Sequence, residues 1–219
     1  MIKVLIFDFD GIILESSQIK TEAYRTLFRN EESLVFERIM NYHLLNMGFS
    51  RQRIFRYYYE EIKGMKVTDD TIEEMSQAFN EIVLSKVLEA PYVPGILDFL
   101  HTVQHEYNLY IATGTPESDI KQIVKKRNLE TFFKGVYGSP LEKEHIIEKI
   151  LLEESITQKE ALLFGDAESD RLGAENTNIN FIGRMGPGPF HMKWTKYVIK
   201  DFSDTEDICE IINTLGGNA

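Results

Sequence analysis

VLIFDFDGIILESS, residues 4–17, is the stretch on which the reading of this chain turns. Val4, Leu5, Ile6 and Phe7 are apolar without a break, and Asp8, Phe9, Asp10 and Gly11 follow at once. An apolar run with no polar alternation reads as a short strand covered on both faces, the kind found in parallel sheets. The two carboxylates at its end cost free energy unless a cation sits between them or one keeps its proton. Asp8 and Asp10 are therefore read as part of a site. Its other members are expected at further strand ends, because ligands of an open parallel sheet bind beyond the carboxyl ends of its strands.

More apolar runs of this kind follow: LYIA (109–112) before Thr113, GVYG (135–138) before Ser139, ALLF (161–164) before Gly165, and NFIG (180–183). Helical stretches separate them. In TPESDIKQIVKKRNL (115–129) the expected N-cap is Thr115, with Pro116 at the first helical position. SPLEKEHIIEKILLEE (139–154) sets Ser139 and Glu142 at capping-box spacing. Strands alternating with helices predict an α/β fold, a Rossmann-like doubly wound parallel sheet.

Residues 15–90 break that rhythm. Ile19, Ala23 and Leu27, then Val35 and Ile39, then Ile54, Tyr58 and Ile62, then Ile72, Met75, Phe79 and Ile82 recur at helical spacing, each set marking one apolar face. VTDDTIEE (67–74) opens the last helix with Thr68 as cap and acids in the first turn, as the helix dipole favours. The chain is expected to be an α/β core, 1–14 and 91–219, carrying an inserted helical cap, 15–90, with APYVPGI (90–96) as the return. The final GGNA is expected to fray.

Charge narrows the partners. With 24 Lys and Arg against 35 Asp and Glu, the formal charge is −11. Such a balance lacks the basic stripe that displaces counterions from nucleic acid, and it disfavours an anionic membrane face. No apolar run reaches the ~18 residues of a membrane span, and Asp8 interrupts any secretory apolar region. A cytoplasmic monomer or homodimer acting on a small molecule is the expectation. Cys209, the single cysteine, lies in helical DICEII and is read as a small hydrophobe.

The strand ends carry Asp8 and Asp10, then Thr113, Gly114 and Thr115, then Ser139 and Lys143, then Asp166 and Asp170. Carboxylates gathered on one edge repel, so a hard oxygen-seeking cation is their natural occupant, and Mg²⁺ suits them. Lys143 falls near a helix N-terminus, where the dipole disfavours a cation, and its place makes sense beside an anion. A Thr-Gly turn opening onto a helix offers a hydroxyl and N–H groups to phosphate oxygens. Metal, phosphate and a carboxylate able to attack phosphorus imply covalent phosphoryl transfer on a small phosphorylated substrate.

DFDGIILES, IATGTP, GSPLEK and GDAESD resemble, in order, the motifs of the haloacid dehalogenase superfamily. The resemblance is nearest to its phosphoglycolate phosphatase and β-phosphoglucomutase-like group, which carries a helical cap after the first strand. It implies that Asp8 is the nucleophile that becomes an aspartyl-phosphate and that Asp10 protonates the leaving alcohol and later deprotonates water. The Asp10 backbone carbonyl would face Mg²⁺. Thr113 and the Gly114 N–H would hold the phosphoryl group and Lys143 would neutralise it. Asp166 would ligate the metal with Asp8, and Asp170 would orient a metal-bound water or serve as a second ligand. Gly11 would turn the chain towards the cap.

Specificity is sought in the cap. NYHLLNMGFSRQR (41–53) gathers polar groups around Gly48, with Asn46 and Arg51 as candidate substrate contacts and Ser50 as a plain N-cap in the alternative reading. Lys20, near the hinge, is the third candidate. IKTEA and GFSR resemble family members of surface-polysaccharide metabolism, which implies a sugar phosphate. A phosphomutase of the β-phosphoglucomutase type is the second reading, though such mutases favour a histidine where this chain has Lys20. A dehalogenase lacks the acid/base carboxylate that Asp10 supplies. A phospho-accepting or silent binding module is the third reading; a receiver places its acidic pair and acceptor on different strands and has no cap. MGPGPFHMKW (185–194), with His191 and Trp194, is read as a surface loop without a site.

Overall fold

The structure is a computed structural model and describes residues 1–186 and 195–217, among which all elements named below lie. β1 (Val4–Phe7), β2 (Asn108–Pro116), β3 (Gly135–Ser139), β4 (Ala161–Gly165), β5 (Asn180–Arg184) and β6 (Val198–Ile199) form one parallel sheet in the order β3-β2-β1-β4-β5-β6. The expected strands are all present. β6 is new, and a two-residue strand is too short to leave a sequence pattern. Phe7 pairs with Ile111 of β2 and Phe164 of β4, so Asp8 and Asp166 leave the sheet at one edge, beside Thr113 in the carboxyl-terminal part of β2.

Alternation along the strands divides the core. Leu5, Phe7, Ile111, Leu162 and Phe164 share one apolar cluster with α5 (Ile96–Val103) and α9 (Thr205–Gly217), while Val4, Ile6, Ala112 and Leu163 face α7 (Lys143–Glu154) and α8 (Glu168–Thr177). Successive strand side chains point to opposite faces, and here both faces are dry. Phe7 stacks on Phe164 with centroids 5.0 Å apart. Cys209 packs from α9 against the first cluster. α9 runs through Gly217, so the first two residues of the expected frayed tail are helical.

Between β1 and α5 come α1 (Ser17–Leu27), α2 (Ser33–Leu45), α3 (Arg51–Tyr57), a π-turn (Tyr58–Ile62) and α4 (Asp69–Glu89). Thr68 accepts from the Thr71 N–H, and Ser50 accepts from the Arg53 N–H, so both hydroxyls cap as their positions suggest. Tyr24, Phe28, Phe55 and Phe79 bind the helices together, with the Tyr24 and Phe79 rings 4.5 Å apart. The two connections to the sheet run side by side. Leu14 bridges Tyr92, Glu15 N–H donates to the Pro91 carbonyl at 2.9 Å, and Val93 N–H donates to the Ile13 carbonyl at 3.1 Å.

Two expected caps on the sheet side are corrected. Pro116 ends β2, and α6 (Glu117–Lys126) starts after it with no side-chain cap. The Thr115 hydroxyl is instead committed to Asp10 at 3.2 Å. α7 begins at Lys143, its N-cap position is Glu142 with no side-chain bond, and the Ser139 hydroxyl donates to Gln52 Oε1 at 3.4 Å. Both hydroxyls are drawn off by partners remote in the chain, and residue spacing does not carry that competition. No helix among the described residues is long and apolar enough to cross a membrane. Within MGPGPFHMKW, residues 187–194, including His191 and Trp194, lie outside the described residues.

Candidate active site

Gly11 opens the site. It sits at φ +81°, in the left-handed region, and a Cβ there would lie 1.9 Å from Asp166 Oδ2. Only glycine lets the chain turn this tightly against the acidic loop after β4. The turn brings Ser16 and Ser17 back over the strand ends. Ser16 donates to Asp10 Oδ1 at 2.6 Å, and Ser17 donates to Asp166 Oδ2 at 3.2 Å.

The acidic residues fall into two sets. Asp8, Asp166 and Asp170 offer oxygens that all lie within 4.8 Å of one another. Lys143 serves this set, donating to Asp8 Oδ1 at 3.0 Å and to Asp170 Oδ1. Asp170 Oδ2 accepts the N–H groups of Asp166 (3.1 Å) and Ala167 (3.0 Å), so both of its oxygens are occupied and it braces the loop that presents Asp166. The Asp10 carboxylate belongs to a different network, made with Ser16, Thr115 and the Lys20 ammonium. Its expected metal role therefore does not involve the side chain.

Electrostatics separate the two sets further. Burial, then the nearby Asp170 and Asp10 charges, push the Asp8 carboxyl up to about 7, with Lys143 offsetting only part of the rise. Burial and the same neighbours, Asp8 first, hold Asp166 well above the usual carboxylate range. Burial also works against the charge on Lys143, but Asp170 and Asp8 outweigh it and raise its affinity for a proton. Asp10 goes the other way: burial opposes its charge, yet the Lys20 ammonium and the bonds from Lys20, Ser16 and Thr115 hold it below its ordinary value. The Asp8 set is short of positive charge. Its donors are all hard oxygens, which fits a divalent cation.

Above these groups lies a cavity of about 580 Å³, open mouth included, with Asp8, Asp10 and Thr113 on its floor and Tyr24, His43 and Phe79 in its roof. The three cap candidates fare differently. Lys20 lines the cavity and spends its ammonium on Asp10 and on Thr115 Oγ1 at 2.6 Å. Arg51 lines it too, but its guanidinium donates to the Ser76 carbonyl (2.9 Å) and to Asp119 Oδ2 (2.7 Å). Asn46 does not line it. Its amide donates to the Tyr42 carbonyl at 2.8 Å, because the end of α2 leaves carbonyls in need of donors. Ser16 and Ser17 are not among the sequence candidates, and Thr115, named there as a strand-end hydroxyl and a helix cap, has its bond to Asp10 only in the fold. The signal for the serines was their place just after Gly11 in the decisive stretch.

His43 is, with Tyr24, a buried titratable group of the roof. Burial, then Lys20 and Arg25, lower it from 6.5 to about 4, and its Nε2 lies 2.9 Å from Thr21 Oγ1. Since the unfolded chain takes up this proton first, stability held above pH 6.5 is lost as pH falls towards 4. The expected slope is at most about 1.4 kcal/mol per pH unit, and His43→Gln should flatten it. Urea midpoints of both proteins across that window test this; parallel curves would remove His43 as the cause.

A parallel sheet with strand-end carboxylates, a buried lysine between two of them and a helical roof is the frame of an α/β enzyme, and the family match agrees. The chain belongs to the haloacid dehalogenase-like hydrolase family, whose profile matches residues 5–184. Over 96 residues it is 31% identical to a 5'-nucleotidase of Pseudomonas aeruginosa, a match spanning 42% of each chain, so less than half the length of that curated relative is matched. Among solved structures it resembles a predicted phosphatase from Clostridium acetobutylicum (TM-score 0.75, 21% identity, 96% of this chain and 99% of that one). It equally resembles the β-phosphoglucomutase of Clostridium difficile (TM-score 0.75, 16% identity, 98% of both chains).

Proposed function

We propose that the protein is a Mg²⁺-dependent phosphomonoesterase that works through an aspartyl-phosphate on Asp8. The observation that carries this reading is the buried Lys143 ammonium, 3.0 Å from Asp8 Oδ1, below a cavity walled by Thr113 and Gly114. An anionic phosphoryl group resting on Thr113 and the Gly114 N–H would meet Asp8 with Lys143 beside it. Asp8 attacks phosphorus, the ester oxygen leaves, and Asp10 gives that oxygen its proton. Water then attacks the aspartyl-phosphate, Asp10 takes the proton, and Asp8 is released with inorganic phosphate.

Asp8 and Asp166 would hold the cation, with Asp170 bracing the loop that carries Asp166. Bound there, Mg²⁺ would supply the positive charge that keeps Asp8 ionised and would offset charge on the phosphoryl oxygens. Lys20 governs the partner carboxylate: in contact with it Asp10 is ionised and fit to act as base, so proton donation requires Lys20 to draw away.

The substrate is a small phosphorylated metabolite, and the alcohol it releases is the leaving group. The expected sugar phosphate meets a roof in which Lys20, His43 and Arg51 already spend hydrogen bonds on protein partners. Nucleoside monophosphates, the class named by the Pseudomonas relative, therefore enter the test beside sugar phosphates. Phosphate release from such a panel is expected with Mg²⁺ and not with chelator. Sugar-phosphate isomer exchange without release would favour the mutase, and neither activity would leave a binding module.

A further inference from the structure

The helical layer meets the sheet layer at two ends. At the hinge, the connections pair through Leu14 and Tyr92 and are clamped from the sheet side. Arg184 donates to the Gly11 carbonyl at 2.7 Å and pairs with Glu15 at 2.6 Å, and Arg127 donates to the carbonyls of Leu88 (2.6 Å) and Ala90 (2.9 Å). At the opposite end, residues 47–53 lie across the carboxyl ends of β2 and β3 and the first turn of α8.

Most contacts of that segment are weak. Ser169 donates to the Met47 carbonyl at 3.2 Å, Ser139 reaches Gln52 at 3.4 Å, and Arg53 faces Glu142 at 3.7 Å with both side chains nearly half exposed. The Gly48 carbonyl rests on Gly114 so closely that a Cβ on Gly114 would lie 2.3 Å from it. Arg51 differs from these. Its pair with Asp119 spans 2.7 Å, and the two side chains are only 6% and 17% exposed. The same guanidinium holds the Ser76 carbonyl of α4 and lies over the Phe79 ring, 5.2 Å from its centroid. Asp119 is in the first turn of α6, the helix that opens after Thr113, Gly114 and Thr115.

We propose that the Arg51–Asp119 ion pair is the latch that holds the helical cap shut on the site, and that residues 47–53 lift as one strap to admit substrate. Gly48 and Phe49 wall both the cavity over Asp8 and a second cavity beside Lys143, with Thr113 and Gly114 common to the two. Lifting the strap joins them into one opening onto the reacting groups, while the clamped hinge stays in place. The planar fork of arginine suits this duty, because one group can bind two helices of the cap and one of the sheet layer at once. Closed, the pair gains from its dry surroundings; open, both charges recover water, so the latch is reversible. Arg51 and Asp119 are thus positioning residues, and the kinetic arm of the test alone rests on the hydrolase reading.

Amide hydrogen exchange on the full chain decides the proposal, comparing wild type, Arg51→Met, Asp119→Asn and the double variant. Each single change is expected to speed exchange at 47–53 about tenfold, leaving α1, α4 and β1 as in wild type, and the double variant is expected to add nothing further. In parallel, kcat/KM for p-nitrophenyl phosphate should fall by a similar factor in all three. Unchanged exchange at 47–53 overturns the latch, as does faster exchange spread over the whole cap, which would mark a fold-stabilising pair. If Arg51→Met does not fold, Asp119→Asn, which keeps the side-chain shape, carries the test. Absence of phosphate release by wild type from any compound would sink the hydrolase reading and leave the exchange result standing.

Discussion

Asp8→Asn should abolish phosphate release and leave the fold at least as stable as before. On the proposed mechanism the expected fall in turnover is about 10⁴-fold or more, worth ~5.4 kcal/mol of barrier, because the other carboxylate of the floor, Asp10, is held by Lys20, Ser16 and Thr115 and does not replace a lost nucleophile. Stability runs the other way for a stated reason. The folded Asp8 carboxyl titrates near 7 against an ordinary 3.8, so the folded protein holds the extra proton and loses stability as pH rises between those values. Asparagine carries no charge and escapes that loss. At pH 8 the variant should melt at or above the wild-type temperature in metal-free buffer, and at pH 4 the two should agree. Mg²⁺ should raise the wild-type melting temperature more at pH 8 than at pH 5, and raise that of the variant less. Retained phosphate release in Asp8→Asn would remove Asp8 as nucleophile; a markedly lower melting temperature at pH 8 would contradict the electrostatic account.

Lys143→Met is the second large effect, and it strikes both activity and stability. Lys143 is the ammonium between Asp8 and Asp170, and its side chain is 5% exposed. Removing one partner of a buried ion pair costs about 3–5 kcal/mol, because the other is left without compensation. Here the uncompensated partners are two carboxylates with Asp166 beside them. Activity should fall by about 10²–10³-fold, the usual cost of losing one charge-stabilising donor. Chemical denaturation at pH 7.5 and at pH 5 supplies the check. The destabilisation should shrink at the lower pH, where Asp8 takes a proton and needs no partner. Asp8→Asn/Lys143→Met should be more stable than Lys143→Met alone. Equal losses at both pH values would mean that the methylene packing of Lys143, and not its charge, supports the site.

These two residues were visible from local patterns alone. Asp8 follows an unbroken apolar run, and the sheet necessarily delivers the residue after a buried strand to its edge. Lys143 was conspicuous as a cation at a helix start, and the structure gives the reason for it: two carboxylates face it there. Thr68 and Ser50 were equally legible, since a cap bonds to an amide three residues on. The same local reasoning failed at Thr115 and Ser139, whose hydroxyls serve Asp10 and Gln52 across the molecule.

The order of strands and helices, the helical insertion and the gathering of carboxylates at strand ends were determined by the sequence alone, because each depends on neighbours a few positions away. Tertiary structure decided which side chains are left free to meet a substrate. Ser17 and Asp166 are 149 residues apart, Thr115 and Asp10 are 105, and Arg51 and Asp119 are 68. Their pairings depend on how the cap seats on the sheet, which no spacing records. Asn46 and Arg51 looked alike as polar groups near a glycine turn. One is consumed by the end of its own helix and the other crosses to α6, because a hydrogen-bonding group takes whichever partner the folded chain brings within reach.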